Sequence, residues 1–417
     1  MNLRSLGMGL VAASLATTAV AETTVNVLSI NRDSTPWRTL YDDVVAEYNA
    51  NNPGVTVTVE YMEDESFKQK LPTLLQSASA PDMFFSWSGG VFYEQAQQGF
   101  LKHLPDDVVS AWQQELSPGG MAALSYKDKF YGAPEASQNV AIWYNKDHAA
   151  ALGVDPTSIE TWDDLLAMVQ VAKDGGVTPF VVGGQDKWPL HFFYSFLAMR
   201  IMGQDGMAAS AAGENGGFDN ADWVRAGQEY LRLIELEPFQ NGFMGVKYDQ
   251  ATGLWGDGES LFHLMGDWDL GASRGAASDG GLSNDQLGVI PFPMVTGGKG
   301  AVTDTLGGAS GFVLTSKAGP EAIDFLKTFM GVEAQQRAAR EGVYIPTVPS
   351  AGGLVEDPIL KQFAAIGGAS TYHQLFLDQF FGSSLGGAIN DVSAQMATGD
   401  ITAEEAAALL EETRAFQ

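Results

Sequence analysis

Three consecutive segments near the amino terminus decide the fold: TTVNVLSI at positions 23–30, PWRTLYDDVVAEYNAN at 36–51 and VTVTVEY at 55–61. The first and third segments alternate apolar with polar residues, as a β-strand with one buried face does. The middle segment places its apolar residues at helical spacing, and Thr35 followed by Pro36 is typical of a helix start. Strand, helix and strand in this order predict a β-α-β unit with parallel strands and a right-handed crossover.

The same succession of strand and helix patterns continues along the chain. A helix with Phe67 and Leu71 facing inward leads to a buried strand from Met83 to Ser86, which predicts a wound parallel sheet. Further strands are predicted at Asn139 to Asn145, Pro179 to Val182, Leu261 to Met265, Leu287 to Ile290 and Phe312 to Thr315. Further helices are predicted to begin at Thr161 and Pro189 and to dominate from Pro320 onward. The fold class expected from these patterns is α/β.

Composition excludes several classes of partner and cofactor. The 417 residues are 45% hydrophobic, which is enough for more than one core. Lys and Arg number 23 against 51 Asp and Glu, so the formal net charge of -28 repels nucleic acid and anionic membrane surfaces. The absence of cysteine excludes disulfides, thiolate zinc sites, iron–sulfur clusters and a lipid-modified N-terminal cysteine. No cofactor is expected.

Residues 1–21 have the pattern of a secretory signal peptide. Arg4 precedes a short apolar run, and Ala19-Val-Ala is a small-x-small cleavage pattern. No later window has the roughly 20 uninterrupted apolar residues that a membrane span needs. We therefore expect a mature chain that begins at Glu22 and is free in a bacterial periplasm, with true secretion as the alternative.

Six motifs, in their order along the chain, resemble those of one family. They are Asn52-Pro-Gly-Val-Thr-Val; Ser79-Ala-Pro-Asp-Met-Phe; Tyr131-Gly-Ala-Pro with Ile142-Trp-Tyr-Asn-Lys; Thr161-Trp-Asp-Asp-Leu; Met265-Gly-Asp-Trp; and Glu321-Ala-Ile-Asp-Phe-Leu-Lys-Thr-Phe before Gly342-Val-Tyr-Ile-Pro-Thr. Together they resemble the extracellular solute-binding proteins of carbohydrate ABC transporters, the group that includes maltose-binding protein. The resemblance covers essentially the whole mature chain.

The resemblance implies a two-lobed periplasmic binding protein fold of type II, with the ligand in the cleft between lobes. Lobe 1 is expected to comprise residues 22–134 and 300–345, and lobe 2 residues 135–299 and 346–417. The chain would cross between the lobes near residues 133–137, 292–300 and 344–350. The family also implies a carbohydrate ligand, a monomer, delivery to permease subunits in the inner membrane, and no catalysis.

Two loops that follow predicted strands supply the first expected cleft wall, because open parallel sheets bind ligands beyond the carboxyl ends of their strands. Asn31 and Asp33 follow the first strand and match family positions that carry polar sugar contacts, although Asp33 can equally stabilise the first helical turn. Trp87 follows a buried strand and precedes glycines, with Ser88 as its polar neighbour. An indole suits the apolar face of a sugar, although Trp87 could instead lie buried under its loop.

Trp188, Asp267 and Trp268 supply the second expected wall. The two tryptophans match aromatic positions of the family, and Asp267 can accept two hydroxyl hydrogen bonds. Near the first crossing, Gln138 matches a polar ligand-contacting position and is preferred to Glu135. The remaining expected ligand contact is backbone at Gly308, where a simple turn explains the glycines equally well. Five other tryptophans are assigned to cores: Trp37, Trp143, Trp162, Trp223 and Trp255.

Two alternative functions share parts of this pattern. A secreted glycoside hydrolase would use paired carboxylates, but the many Asp and Glu residues of so acidic a chain do not point to a catalytic pair. No nucleophile elbow, zinc-binding His-Glu-x-x-His motif or phosphate loop is present. A periplasmic polyamine or metal binder of the same architecture is the other alternative, and Asp33 and Asp267 would be carboxylates of a polyamine site.

Overall fold

The first three elements form the predicted β-α-β unit. In the computed structural model, which describes residues 22–30 and 35–416, strands Thr23–Ile30 and Val55–Met62 pair in parallel. The intervening helix Pro36–Asn51 is capped by Thr35, whose side chain accepts a hydrogen bond from the backbone N–H of Arg38. Its apolar stripe is buried, as expected. The signal-peptide prediction, together with Asn31 and Asp33, lies outside the described residues.

The described residues form eleven strands and eighteen α-helices. The strands are β1 Thr23–Ile30, β2 Val55–Met62, β3 Met83–Trp87, β4 Ser125–Tyr126, β5 Lys129–Phe130, β6 Gly132–Asn145, β7 Thr178–Phe180, β8 Ser260–Gly266, β9 Leu287–Ile290, β10 Thr305–Leu314 and β11 His373–Leu375. The helices are α1 Pro36–Asn51, α2 Asp64–Leu75, α3 Gly90–Gln97, α4 Asp106–Glu115, α5 Pro118–Ala123, α6 Lys146–Leu152, α7 Trp162–Asp174, α8 Trp188–Ala211, α9 Ala221–Ile234, α10 Tyr248–Gly256, α11 Asp269–Ala276, α12 Pro320–Phe329, α13 Val332–Arg340, α14 Pro349–Gly352, α15 Pro358–Gly368, α16 Leu377–Phe380, α17 Gly382–Thr398 and α18 Ala403–Ala415.

The main sheet is mixed, so the predicted wound parallel sheet is confirmed for the first strands but not for β10. Its strand order is β2-β1-β3-β10-β6-β8-β7, with β11 beside β10 and β9 beside β6. The pairs β1–β2, β1–β3 and β7–β8 are parallel, whereas β10 runs antiparallel to both β3 and β6. Residues 132–140 of β6 pair with β10, and residues 140–145 pair with β8 and β9, so β6 joins two half-sheets.

Strand β10 begins seven residues before its predicted start, because its glycines resemble a loop in sequence. A Cβ atom on Gly307 would lie 1.9 Å from the carbonyl oxygen of Gln138, and one on Gly311 would lie 2.0 Å from that of Ala133. Strand β6 therefore approaches β10 so closely that only glycine fits. The turn that was the alternative explanation for the glycines around Gly308 does not form, because they lie within β10.

The buried side chains form a continuous apolar core on both faces of the sheet. The five tryptophans assigned to cores are confirmed there, with exposed fractions of 0–4%: Trp37, Trp143, Trp162, Trp223 and Trp255. Within residues 22–30 and 35–416, no helix combines the length and the apolar character that crossing a membrane requires.

Candidate functional site

A cavity of about 340 Å³ lies beyond the carboxyl ends of β1 and β3, where α2, α8, α10, α11 and α16 meet. Its described aromatic lining is Trp37, Phe85, Trp87, Trp188, Phe192, Tyr248, Trp268 and Phe376. Its charged lining is Glu63, Asp64, Lys68, Asp186, Asp249 and Asp378. A concave site with apolar walls and a few polar groups is the usual form of a small-molecule binding site.

Four of the predicted ligand contacts line this cavity: Trp87, Gln138, Trp188 and Trp268. They come from β3, β6, the start of α8 and the residue before α11. These segments are separated by up to 181 positions in sequence, and the fold brings them together at one end of the sheet. Ile30 and Thr35, which flank the undescribed segment with Asn31 and Asp33, also line the cavity.

Trp87 and Trp188 both lie close to the same ammonium group. Lys68 Nζ is 5.3 Å from the ring centre of Trp87 and 5.8 Å from that of Trp188, within range of cation–π attraction. The same Nζ lies 3.0 Å from Asp64 and 3.0 Å from Glu65. Burial lowers the pKa of Lys68, but the surrounding carboxylates outweigh burial and hold that pKa above its usual range. Lys68 is therefore a fixed cation within cation–π range of two indoles.

One wall of the cavity is a cluster of aromatic rings in contact with one another. Trp188 lies 4.9 Å from Tyr248, and Phe192 stacks on Phe376 at 5.7 Å. The edge of Trp268 meets Phe376 at 5.8 Å, and the indole of Trp268 stays partly exposed. Sugars have apolar C–H faces ringed by hydroxyls, so these rings can hold such a face while the polar lining binds its edge.

Two buried polar groups of the lining have atoms with no hydrogen-bond partner among the described residues. Gln138 is 5% exposed and its Oε1 finds no donor, and Trp188 Nε1 finds no acceptor. An unsatisfied buried polar group costs about 1–3 kcal/mol. A ligand with both donors and acceptors, such as a polyhydroxylated molecule, suits this pair.

Carboxylates from distant segments face one another at the cavity. Burial raises the pKa of Asp186, and the charges of Glu63 and Asp64 raise it further, against a hydrogen bond from the Tyr248 backbone N–H.

The pKa of Asp378 is shifted in the opposite direction. Burial raises its pKa, but interaction with His191, whose Nε2 is 3.4 Å away, and with Lys68 outweighs burial and brings the pKa to about 2. Asp378 is therefore an ionised acceptor at the cavity.

Three of the predicted ligand contacts do not line the cavity: Ser88, Asp267 and Gly308. Ser88 is 4% exposed, and its backbone N–H donates to the carbonyl oxygen of Ala309. Gly308 lies under the ring of Phe376, which a Cβ atom would meet at 2.9 Å. Direct ligand contact by these residues stays a prediction that the cavity geometry does not favour.

Asp267 is buried at the junction of β8 and β6. It is 2% exposed, and its Oδ2 accepts a hydrogen bond from the backbone N–H of Asn139 at 2.9 Å. Burial raises its pKa to about 8, against the effect of backbone hydrogen bonds. The expected pair of hydroxyl hydrogen bonds therefore has no support here, because this carboxyl faces the sheet.

Sequence reasoning missed Lys68, Tyr248, Phe376 and Asp378. Lys68 lies one helical turn after Asp64 on α2, so it had the pattern of a surface ion pair. Phe376 and Asp378 lie in a segment that none of the quoted motifs covers. Tyr248 opens a helix that the sequence patterns did not predict, and no local signal marks it.

The chain is similar to known binding proteins over most of its length. Residues 33–336 match the family described as bacterial extracellular solute-binding protein. An uncharacterised ABC transporter extracellular-binding protein of Pyrococcus horikoshii is 30% identical over 308 residues, which is 72% of this chain and 65% of that relative. A multiple sugar-binding protein of Streptococcus mutans is 22% identical over 312 residues, covering 70% of this chain and 68% of the relative.

Solved structures show the same fold. A chitin oligosaccharide binding protein superposes with a TM-score of 0.86 at 20% identity, over 95% of this chain and 98% of that one. The two-lobed α/β fold predicted from the sequence is thereby confirmed. Since the family match alone spans well over half of the residues, the chain belongs to the bacterial extracellular solute-binding proteins.

Proposed function

We propose that this protein is the substrate-binding component of an ABC importer, that it binds an oligosaccharide or glucoside between its lobes, and that it delivers the sugar unchanged to the permease. The observation that carries the proposal is the cavity lined by Trp87, Trp188 and Trp268 beside the unpartnered atoms of Gln138 and Trp188. Relatives and structural neighbours named for multiple sugars and for chitin oligosaccharide support this ligand class.

The proposed ligand contacts are Trp87, Gln138, Trp188 and Trp268, with Lys68 and Asp378 as charged neighbours. Asn31 and Asp33 are added because the residues on both sides of their segment line the cavity. The proposed lobes are residues 22–134 with 300–345 and residues 135–299 with 346–417, and closure of one on the other would bury the sugar. The pairing of β6 with both half-sheets supports a crossing within β6.

The ligand should stabilise the protein without being consumed. A sugar that binds only the folded state adds about 2.7 kcal/mol of stability at 100 times its Kd. We expect at least one of maltotriose, xylotriose and triacetylchitotriose to raise the melting temperature and to be recovered intact by chromatography after overnight incubation. Steady release of a cleavage product in proportion to protein would instead indicate a glycoside hydrolase.

We further propose that the protein is exported to the periplasm. The support is the apolar segment after Arg4 and the Ala19-Val-Ala pattern. N-terminal sequencing of the protein from a periplasmic extract should begin at Glu22. Recovery of chains that still start at Met1 from the membrane fraction would contradict this proposal.

A further inference from the structure

A buried carboxylate lies directly behind the aromatic wall. Asp269 is the first residue of α11, follows Trp268 in sequence, and is 0% exposed. Its Oδ1 accepts a hydrogen bond from the hydroxyl of Tyr248 at 2.7 Å and another from the hydroxyl of Thr252 at 2.6 Å. Asp269 does not line the cavity, whereas Tyr248, Thr252 and Trp268 all do.

The second oxygen of this carboxylate is also engaged. Asp269 Oδ2 lies 3.1 Å from His263 Nε2, and the other ring nitrogen of His263 lies 3.2 Å from the carbonyl oxygen of Val181. His263 is 1% exposed and stacks on Trp255, so its ring cannot easily reorient. Through these contacts one carboxylate joins α10, α11, β8 and the segment after β7.

The hydrogen bond to Asp269 fixes the orientation of the Tyr248 side chain at the cavity. Its hydroxyl is committed to Asp269, and its backbone N–H donates to Asp186 Oδ2 at 2.7 Å. The ring is thereby held against Trp188, at 4.9 Å between ring centres. Tyr248 can therefore offer the cavity the surface of its ring, while its hydroxyl hydrogen is already donated to Asp269 and is not available to the ligand.

From this geometry we infer that Asp269 is a positioning residue for ligand binding: it holds Tyr248, and through it Trp188, in the orientation that receives the sugar. The inference rests on the proposed function, since the wall is taken to contact a carbohydrate. Asp269 acts through its hydrogen bonds, so its negative charge is not required for binding.

Two substitutions separate geometry from charge. Asp269→Ala removes the contacts of the carboxylate with Tyr248, Thr252 and His263. Losing a group that orients a binding hot spot should weaken sugar affinity by about tenfold or more. In Asp269→Asn the amide oxygen can accept both hydroxyl hydrogen bonds, and its NH₂ can donate to His263 when that ring carries its proton on Nδ1. Asp269→Asn should therefore keep the affinity within about threefold of the wild type.

A double-mutant cycle tests whether Asp269 acts through Tyr248. Affinity is measured by calorimetric titration at 15 °C with whichever of maltotriose, xylotriose and triacetylchitotriose binds the wild type most tightly. Because the two residues would act as one unit, Tyr248→Ala combined with Asp269→Ala should lose no more affinity than the worse single variant. The matched control is Asp304→Ala, another buried aspartate with hydrogen bonds but outside the cavity lining, which should destabilise the fold and leave affinity unchanged.

Three results would overturn the inference: Asp269→Ala binding within threefold of the wild type, fully additive losses in the cycle, or equal losses for Asp269→Asn and Asp269→Ala. If Asp269→Ala does not fold, Tyr248→Phe combined with Thr252→Val removes both hydroxyl donors and should weaken sugar affinity to the same extent.

If no sugar binds, the proposed function fails, and the orientation of the aromatic wall is tested alone by ¹⁹F NMR of 5-fluorotryptophan-labelled protein. The Trp188 signal should then shift in Asp269→Ala and stay unchanged in Asp269→Asn; an unchanged signal in both would also overturn the inference.

Discussion

Trp268→Ala and Trp87→Ala are each expected to weaken sugar binding by at least about tenfold while changing the ligand-free melting temperature little. Both indoles line the cavity and remain partly exposed there. A stacked indole excludes water from a sugar face, and losing such an anchor commonly costs about 2 kcal/mol, or roughly thirtyfold in affinity. Calorimetric titration gives the affinity, and thermal melts without sugar give the stability.

Trp162→Ala is the matched control and should show the opposite effect. Trp162 is 1% exposed, opens α7, stacks on Phe292 at 5.4 Å and is not among the residues that line the cavity. The cavity left by a buried tryptophan costs about 3–5 kcal/mol of stability. The sugar affinity of Trp162→Ala, measured at a temperature at which this variant stays folded, should match that of the wild type. Normal binding by both cavity variants, or unfolding of all three proteins, would contradict this division between site and core.

Asp267→Asn is expected to make the stability of the protein markedly less sensitive to pH between pH 3.8 and about pH 8. The carboxyl of Asp267 has its pKa raised from an ordinary 3.8 to about 8 by burial, so the folded protein holds a proton that the unfolded chain releases. Its contribution to stability is complete below pH 3.8 and is lost as the pH rises towards 8, by up to about 1.4 kcal/mol per pH unit. Asparagine has no such proton to lose.

Chemical denaturation of both proteins between pH 5 and pH 9 measures this difference. The free energy of unfolding of the wild type should fall with pH more steeply than that of Asp267→Asn, and the two slopes should converge above about pH 8. Parallel curves over the whole range would show that Asp267 is ionised in the folded protein. That result would reopen the expectation that its carboxylate binds sugar hydroxyls.

Local patterns were sufficient to predict the β-α-β units. Alternation in β1 and β2, the apolar stripe of α1 and the capping residues Thr35 and Thr161 depend on neighbours in sequence, and the structure confirms them. The antiparallel course of β10 could not be predicted in this way. Its pairing with β6 joins residues more than 160 positions apart, and its glycines serve close approach between strands, which has no local signature.

The binding site was predictable where a residue type was unusual for its place. Three tryptophans lie in or beside glycine-containing loops after strands, where a large aromatic side chain indicates contact with a ligand: Trp87, Trp188 and Trp268. Lys68 and Tyr248 could not be recognised, because a lysine or tyrosine on a helix normally belongs to the surface or the core. No local signal showed how Asp267 and Asp269 pack, since only tertiary packing decides that Asp267 faces the sheet and that Asp269 supports the wall.

The measurement that tests the central claim most directly is a crystal structure of the protein grown with the sugar that gives the largest thermal stabilisation. We predict an intact sugar in the cavity, with its apolar faces within about 4.5 Å of the indoles of Trp87 and Trp268 and a hydroxyl bonded to Gln138. A sugar bound elsewhere with this cavity unchanged, or a sugar cleaved within it, would contradict the account.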